Sequence, residues 1–326
     1  MLRRVPPFRV LRYVKAPGLE GCVCAFRLAP ESPPLVVEAV SGRAMTLVAG
    51  DIFLATPGHR ESTRSVVGGV PERGLVAGKN YWVLAESGVV GDLIGGAPHA
   101  KTYVGKVKHL GAVAGDDGRA IAIQQFAVPA ANRVTDHGAP VFLFLGTSAE
   151  VGKTTAALTV LRALLEQGHA TVIVLKATGT SGVTEISTYQ DYGAAQVFDC
   201  VDFGLPTTYP SHRKGMARVF DRALDTCLSI TGDAVLIECG GDMLGANVPV
   251  FLGRLKRRRP HPKVILAAAD AVGAWGGMRM LRNMGLSVDL ITGPCTDTPT
   301  LQRRTETLCR TPAMNMTRNE SAGALS

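Results

Sequence analysis

The chain lacks an apolar run long enough to cross a membrane. No stretch reaches the roughly 18 consecutive apolar residues that mark a transmembrane helix. The N-terminal segment 1–15 is basic, but Pro6 and Pro7 interrupt it and it has no long apolar core, so it does not resemble a secretory signal. We therefore expect a cytoplasmic protein with no membrane partner.

Cysteines in zinc-type spacing are also missing. The seven cysteines are odd in number and scattered along the chain, whereas structural zinc sites need paired ligands at short intervals. Cys22 and Cys24 lie one residue apart on one face of a predicted strand, where packing is the favoured interpretation. This cysteine usage indicates a reduced, cytoplasmic protein.

A large excess of charge of one sign is absent as well. The formal net charge of +8 suits an anionic ligand but is too small to indicate nucleic-acid binding. One basic run, residues 254–259, precedes Pro260, and we interpret it as the solvated end of a helix, where cations interact favourably with the helix dipole. We expect no nucleic-acid partner.

The first part of the chain has the pattern of a small β-rich domain. Short apolar segments alternate with Gly, Pro and Asp between residues 8 and 130, and no long helical period appears. The predicted strands span residues 22–27, 35–40, 45–49, 51–55, 81–85, 103–107 and 120–126. We predict a β-barrel or sandwich domain over 1–130, and no motif in it indicates a function.

After a predicted linker at 131–140, strands and helices alternate. The predicted strands are 141–145, 172–175, 234–237, 264–268 and 288–292, and the predicted helices are 156–167, 214–230, 248–259 and 277–284. This rhythm predicts an α/β domain with a mainly parallel sheet over 141–310, followed by a flexible tail at 311–326. Ligands of such sheets bind beyond the carboxyl ends of the strands.

A glycine-rich loop joins the first of these strands to its helix. Residues 146–155 read Gly-Thr-Ser-Ala-Glu-Val-Gly-Lys-Thr-Thr, which is the layout of a P-loop, and the fold class predicted is an α/β P-loop NTPase domain preceded by a small β-rich domain. Backbone N–H groups and the helix N-terminus would hold phosphates. The predicted nucleotide-binding residues are Gly146, Glu150, Val151, Gly152, Lys153, Thr154 and Thr155.

Two features keep an alternative open for this loop. Five residues separate Gly146 from Gly152, one more than in the common motif. A Gly-Lys-Thr triplet also occurs by chance, so an ordinary strand-to-helix turn with a surface lysine is the competing interpretation.

Charged residues follow two other predicted strands. Lys176 follows the strand at 172–175 and could stabilise charge on a transferring phosphoryl group. Glu238 ends the strand at 234–237, where a carboxylate could hold Mg²⁺. Asp191 is a candidate third Mg²⁺ contact, although an acid on a helix surface is an equal interpretation.

These motifs, in this order, resemble dethiobiotin synthetase and its relatives, the cobyrinate amidases and MinD-like ATPases. That family's loop also has five residues between its glycines, and most of 146–154 matches it. Lys176 with Thr180, Asp191, and Glu238 with Gly240 and Gly241 match its later motifs. The resemblance covers roughly 141–300.

The resemblance implies a set of roles. ATP and Mg²⁺ would be the cofactors, with Thr154, Asp191 and Glu238 holding the metal. Lys153 and Lys176 would stabilise the phosphoryl group. Thr147 and Thr180 would contact the substrate or the γ-phosphate. A small-molecule substrate and a homodimer are further expectations.

Departures from the family pattern point to a changed substrate. Ser148 replaces an aspartate of the loop, and Ala177 replaces a proline after the strand lysine. Gly293-Pro294 stands where the family has an asparagine that contacts adenine, which leaves the base preference open. Asp242 and Met243 lie where the family builds part of its diamine site.

Three functions compete on this evidence. The leading one is Mg-ATP-dependent phosphorylation of a carboxylate, carbamate or similar group of a small molecule, followed by ligation or ring closure. The second is a MinD-like ATP switch controlling dimerisation and partner binding. Such switches usually carry an extra lysine early in the loop, and no lysine lies between Gly146 and Gly152 here. The third is a binding protein in which the ATP site is degenerate and the β domain binds the ligand or partner.

Overall fold

The computed structural model describes residues 1–8, 12–96, 104–129, 135–210 and 214–317. The chain forms two compact units. The first comprises Met1–Pro129, Thr180–Ser187 and Asp199–Pro210, and the second comprises the remaining residues. No helix in the described part is long and apolar enough to cross a membrane.

The first unit is built from β-strands. Within its described residues the strands are Tyr13–Val14 (β1), Cys24–Leu28 (β2), Leu35–Glu38 (β3), Ala44–Leu47 (β4), Ile52–Pro57 (β5), Arg60–Glu61 (β6), Val66–Gly69 (β7), Asn80–Ala85 (β8), Val89–Gly96 (β9) and Lys106–Val113 (β10). The main sheet has the order β1-β10-β2-β5-β9-β7-β6, with β8 pairing β10 and β9, and β3 and β4 form a separate hairpin. Its pairs are antiparallel except β5 with β9.

Alternating side chains of these strands form the core of the first unit. Phe26 and Leu28 of β2 point inward with Val107 of β10, and Cys22 and Cys24 pack in the same cluster. All seven cysteines lie among the described residues, all are buried, and none forms a disulfide. The packing interpretation of Cys22 and Cys24 is therefore confirmed.

The β-rich prediction is confirmed as a class but not in every strand. The predicted strand 120–126 is wrong, because Ile123–Phe126 forms a short 3₁₀ helix. The strands β7 and β9 were not predicted, since their glycines weaken the apolar alternation that marks a strand. The predicted strand 103–107 falls partly outside the described residues, and β10 begins at Lys106.

Two segments from the second half of the sequence belong to the first unit. Asp199 accepts hydrogen bonds from Arg3 at 2.6 and 3.1 Å, and Asp202 accepts one from Arg3 at 2.6 Å. Asp199 is fully buried, so its charge needs this bidentate partner. Sequence periodicity does not reveal such an exchange, and the predicted division at the linker 131–140 does not include it.

The second unit is an α/β layer structure. Its described strands are Val141–Gly146 (β11), Val172–Thr178 (β12), Gln196–Asp199 (β13), Ala234–Cys239 (β14), Lys263–Ala267 (β15) and Leu290–Thr292 (β16); β13 ends at the boundary between the units. Its helices are Lys153–Glu166 (α1), Val183–Asp191 (α2), Met216–Leu228 (α3), Val248–Arg258 (α4), Ala271–Asn283 (α5) and Pro299–Cys309 (α6), and α2 begins in the first unit. The sheet order is β13-β12-β14-β11-β15-β16.

This sheet has the predicted character. The pairs β11–β14, β11–β15, β12–β14 and β15–β16 are all parallel. Strands β11, β12 and β14 are buried along their whole length, as expected for strands covered on both faces. The prediction of a mainly parallel α/β domain is confirmed.

Helices α3 and α4 pack through an aromatic pair. Phe220 and Phe251 lie edge to face with ring centroids 5.2 Å apart. Arg258 donates to Asp221 and Asp225, each at 2.7 Å, and Arg254 also pairs with Asp221. The basic run 254–259 therefore ends a helix, as predicted, but two of its arginines are held in ion pairs across the helix interface.

The end of the described chain differs from the expected flexible tail. Ala313 forms a parallel bridge with Ile291 of β16, and Met316 is buried in the core of the second unit. Residues 311–317 thus extend the packed structure. The remainder of the predicted tail, 318–326, and residues 131–134 of the predicted linker lie outside the described residues.

The buried His109 of β10 predicts a pH dependence of stability. Its ring lies 5.2 Å from that of Phe26, and burial lowers its pKa below the ordinary value. As the pH falls below about 6.5, the unfolded chain therefore binds a proton before the folded chain does. The free energy of unfolding should fall by up to about 1.4 kcal/mol per pH unit from this residue alone.

The substitution His109→Phe should remove this contribution. Urea unfolding between about pH 5 and about pH 8 should show a shallower loss of stability at low pH than in the unmodified protein. His261→Phe, at an exposed position, is the control and should keep the original slope. Parallel curves for His109→Phe and the unmodified protein would contradict the assignment.

Candidate nucleotide site

The loop after β11 has the backbone of a phosphate cradle. Strand β11 is buried along its length and ends at Gly146, and α1 begins at Lys153. Gly152 adopts φ 90°, a left-handed conformation that favours glycine, and Glu150 adopts φ 61°. These two turns bring the chain back over the N-terminus of α1, where backbone N–H groups can meet an anion.

Gly146 is fixed by close packing inside this loop. A Cβ at this position would lie 2.8 Å from the Lys153 Nζ and 2.9 Å from Val151 Cγ2. The Lys153 ammonium donates to the Ser148 carbonyl oxygen at 2.9 Å, and the side chain is only 7% exposed. The lysine is therefore held within the curl of the loop rather than extended into water, which excludes the surface-lysine interpretation.

A buried carboxylate joins three elements beside the loop. Thr154 donates to Glu238 Oε1 at 3.0 Å, and Tyr189 donates to Glu238 Oε2 at 2.5 Å. Glu238 is 3% exposed. Each oxygen of the carboxylate thus has a hydroxyl partner, as a buried charge requires.

Two lysines face this carboxylate. Lys176 of β12 lies opposite Glu238 of β14 in the parallel register, and its side chain passes 3.3 Å from the Cβ position of Gly240. Burial lowers the pKa of Lys153, Lys176 lowers it further, and Glu238 opposes both effects. Asp242 also raises the pKa of Lys153, so the two lysines meet the charges of two carboxylates at this edge.

Thr147 lies where the loop contacts α5. Its methyl group lies 3.2 Å from the Cβ position of Gly277 on α5, next to Met243. Glycine at position 277 permits this approach of α5 to the loop. Met243 therefore belongs to the surroundings of the P-loop.

Two predicted site residues are placed differently. Asp191 is exposed at the C-terminal end of α2, and helix geometry turns it about 200° from Tyr189, which faces Glu238. The structure therefore does not bring Asp191 to the Thr154–Glu238 pair. Thr180 belongs to the first unit, where it forms a backbone bridge with Thr207.

Sequence reasoning missed Tyr189. The motif Tyr-Gln-Asp-Tyr at 189–192 drew attention to its aspartate, because carboxylates are the usual ligands of Mg²⁺. The apolar spacing of Val183, Ile186 and Tyr189, all buried, marks the inward face of α2 and could have identified the tyrosine.

A cavity of about 230 Å³ adjoins the loop. The P-loop residues Glu150, Val151 and Gly152 form one wall, and the segment after β16, together with residues 315–317, forms the other. A Cβ on Gly293 would lie 2.7 Å from the Val151 carbonyl oxygen. Gly293 is thus the point at which the two walls meet.

Several polar residues line this cavity, namely Glu150, Thr155, Thr292, Asp297, Asn315 and Thr317. The Asn315 amide donates to Asp297 Oδ1 at 3.0 Å. A carboxylate accepts hydrogen bonds only, whereas an amide both donates and accepts.

The site fits a magnesium ion bound partly through water and phosphate. Among the described residues no group of three or more His, Cys, Asp and Glu side chains could hold a metal. Thr154 and Glu238 offer one hydroxyl and one carboxylate, oxygen ligands of the kind that Mg²⁺ prefers when it keeps several waters.

The chain therefore has the fold of a P-loop NTPase preceded by a β-rich part, and the loop after β11 has the geometry of a phosphate cradle. No protein-family model and no curated protein matches it. Similar solved structures exist at low identity, and the chain covers between 43% and 62% of the length of three of them.

Three of the similar structures illustrate the likeness. The signal recognition particle receptor FtsY from Elizabethkingia anophelis, in complex with GDP, is 15% identical over 59% of this chain and 61% of its own, with a TM-score of 0.39. The cell division protein ftsY from Thermotoga maritima is 18% identical over 59% and 66%, with a TM-score of 0.36. A ParA family ATPase from Chlorobium tepidum is 11% identical over 54% and 82%, with a TM-score of 0.34.

The identities and TM-scores of these structures do not bear on the activity of this chain. They do not single out dethiobiotin synthetase, and they leave the nucleotide base open. The assignment of the site rests on its own geometry.

The hydrogen bond from Tyr189 predicts a magnesium-specific defect. Tyr189→Phe keeps the ring but leaves one oxygen of the buried Glu238 without its hydroxyl partner. Loss of a group that orients a metal ligand costs roughly 10- to 100-fold in metal-dependent affinity. Nucleotide titration with Mg²⁺ should show this loss, whereas titration in EDTA should be unchanged.

A neighbouring tyrosine provides the control. Tyr192 is 43% exposed just beyond α2, so Tyr192→Phe should bind normally in both conditions. Equal weakening of Tyr189→Phe with and without Mg²⁺ would mean that Tyr189 only supports folding.

Proposed function

We propose that this protein is a Mg-ATP-dependent enzyme that phosphorylates a carboxylate, carbamate or similar group of a small molecule, leading to ligation or ring closure. The observation that carries the proposal is the meeting of Lys153, Lys176 and the Thr154–Glu238 pair at the carboxyl edge of one parallel sheet. A bound ATP would supply the phosphoryl group and the driving force for the second step.

Each residue of the site would have a distinct role. Lys153, held in the loop, would bind the β- and γ-phosphates. Lys176, which reaches the same region from β12, would neutralise charge that develops on the transferred group. Thr154 and Glu238 would hold Mg²⁺, and Tyr189 would orient Glu238.

The chemistry needs no strong base at this site. A carboxylate or carbamate oxygen is already nucleophilic, so positioning and charge stabilisation suffice. The buried cations of this site meet that requirement. The motifs at 146–154, Lys176 and Glu238 that resemble those of dethiobiotin synthetase support the same reaction class, and the departures at Ser148, Ala177 and Met243 support a different substrate.

The proposal includes a homodimer. Leu244, Val272 and Trp275 are 68%, 71% and 43% exposed, and all three belong to segments beside the P-loop. Apolar side chains grouped in this way favour contact with another protein surface. A mass measurement in solution tests the dimer, and a dimer that forms only with nucleotide and turns over without substrate would favour the MinD-like switch instead.

The two lysines should fail in different ways. Lys153→Ala should abolish Mg-nucleotide binding and turnover. Lys176→Ala should bind nucleotide nearly normally but lose about 100-fold or more in kcat, since removing one charge-stabilising group typically costs that much. Lys79→Ala, at an exposed position in the first unit, is the control.

Release of ADP in the presence of panels of small carboxylic acids and amines is the measurement. The proposal requires substrate-dependent release that Lys153→Ala does not support. A Lys153→Ala protein that turns over like the unmodified one would exclude the mechanism.

A further inference from the structure

A cavity of about 760 Å³ lies in the second unit, between helix α6 and the start of α5. Its volume lies in the range of small-molecule sites. The mechanism proposed above uses none of the residues that line it. Ala271 of α5 forms one side, and the other side is formed by Thr300, Arg303, Arg304, Thr307, Leu308 and Arg310.

The α6 side of the cavity is one face of that helix. Positions 300, 303, 304, 307 and 308 follow the spacing i, i+3, i+4, i+7 and i+8, which places their side chains on the same side. A solvated helix face usually carries charges of both signs. The charged residues that line this cavity are arginines only.

No carboxylate of the described residues neutralises these arginines. The side chains of Arg303, Arg304 and Arg310 have neither an ion pair nor a hydrogen bond in the part of the chain that the structure describes. Glu306 of α6 instead accepts from a backbone N–H after the helix at 3.1 Å, and Asp270 accepts from a backbone N–H of α5 at 2.7 Å. The cavity therefore has an excess of positive charge that an anion would offset.

Arg310 occupies a backbone position that favours glycine. Its φ of 52° and ψ of 41° lie in the left-handed region, and it ends α6. Glycine would make the same turn without strain, since it has no Cβ. The chain instead has a third guanidinium group at the cavity, and a strained residue of this kind is typical of ligand sites.

The extent of the charge suits a compact ligand. Arg310 lies seven positions after Arg303, which corresponds to about 10 Å along a helix. A nucleic acid would need a longer track of cations to neutralise successive phosphates. Guanidinium groups pair with phosphate and carboxylate groups through two parallel hydrogen bonds, so two or three such groups on one small molecule fit this spacing.

We propose that this cavity binds a small polyanion, a molecule with two or three closely spaced phosphate or carboxylate groups, through Arg303, Arg304 and Arg310. Leu308, which is 46% exposed at the cavity, and Ala271 would contact the carbon frame of the ligand. The site shares no lining residue with the cavity beside the P-loop, so its ligand would bind independently of nucleotide.

Titration calorimetry of the full chain in magnesium-free buffer tests the proposal. Citrate supplies three carboxylates and pyrophosphate two phosphates, and the two probes distinguish the two kinds of anionic group. Pyrophosphate is titrated into the Lys153→Ala protein, because the P-loop would also hold it. We expect saturable one-to-one binding of at least one probe, and binding of acetate at equal ionic strength weaker by about tenfold or more.

Two results of these titrations would overturn the proposal. One is the absence of binding by both probes, or binding of acetate as tight as that of citrate. The other is tighter binding of hexaglutamate than of either probe, which would assign the surface to an acidic segment of a partner protein.

Substitutions on α6 locate the binding. The double variant Arg303→Gln, Arg304→Gln removes two exposed charges without touching the buried face of the helix, and it should weaken the bound probe by about tenfold or more. Arg257→Gln makes the same change at an exposed arginine of α4 that does not line the cavity, so it should bind normally. Unchanged affinity in the double variant would place the probe elsewhere and overturn the proposal.

Arg310→Gly separates binding from stability. It should weaken the bound probe by about three- to tenfold, the range expected for one hydrogen-bonding group. It should also raise the urea unfolding midpoint, because glycine relieves the left-handed strain. A raised midpoint with unaltered affinity would contradict the role of Arg310 in the site.

Discussion

The site depends on one buried carboxylate. Glu238 is 3% exposed at the end of a central parallel strand, and such a charge is costly without partners. The hydroxyls of Thr154 and Tyr189 take one oxygen each, and two lysines lie within electrostatic reach. This single requirement connects β14 to the P-loop helix and to α2, so the groups of the candidate site depend on the packing of the sheet.

The parallel sheet makes this arrangement possible. Because β11, β12 and β14 run in the same direction, their carboxyl ends place Gly146, Lys176 and Glu238 at one edge. Glycines then allow the close approaches that side chains would block, at Gly146 beside Lys153 and at Gly293 beside Val151. The geometry of the candidate nucleotide site therefore follows from the shared direction of the strands and from glycines at a few positions.

The sequence predicts this edge well, because local patterns determine it. Apolar runs locate the strands, and Lys153, Thr154, Lys176 and Glu238 follow from their places just beyond strand ends. The spacing of Val183, Ile186 and Tyr189 marks Tyr189 as a buried residue of α2, but its bond to Glu238 depends on a tertiary contact with β14 that no local pattern records. The exchange of 180–187 and 199–210 into the first unit depends on tertiary contacts such as Arg3 with Asp199, which no local pattern records. The β-rich unit is harder still, because the glycines of β7 and β9 interrupt the alternation on which strand prediction relies.

The central claim is that the loop at 146–154 binds nucleotide through Lys153 together with Mg²⁺ held by Thr154 and Glu238. Isothermal titration with a non-hydrolysable ATP analogue, with and without Mg²⁺, tests it most directly. We predict Mg²⁺-dependent binding with a dissociation constant in the micromolar range, about −8 kcal/mol, lost in Lys153→Ala and reduced in Glu238→Gln. The absence of binding to ATP, GTP and CTP analogues by a folded sample would contradict the account.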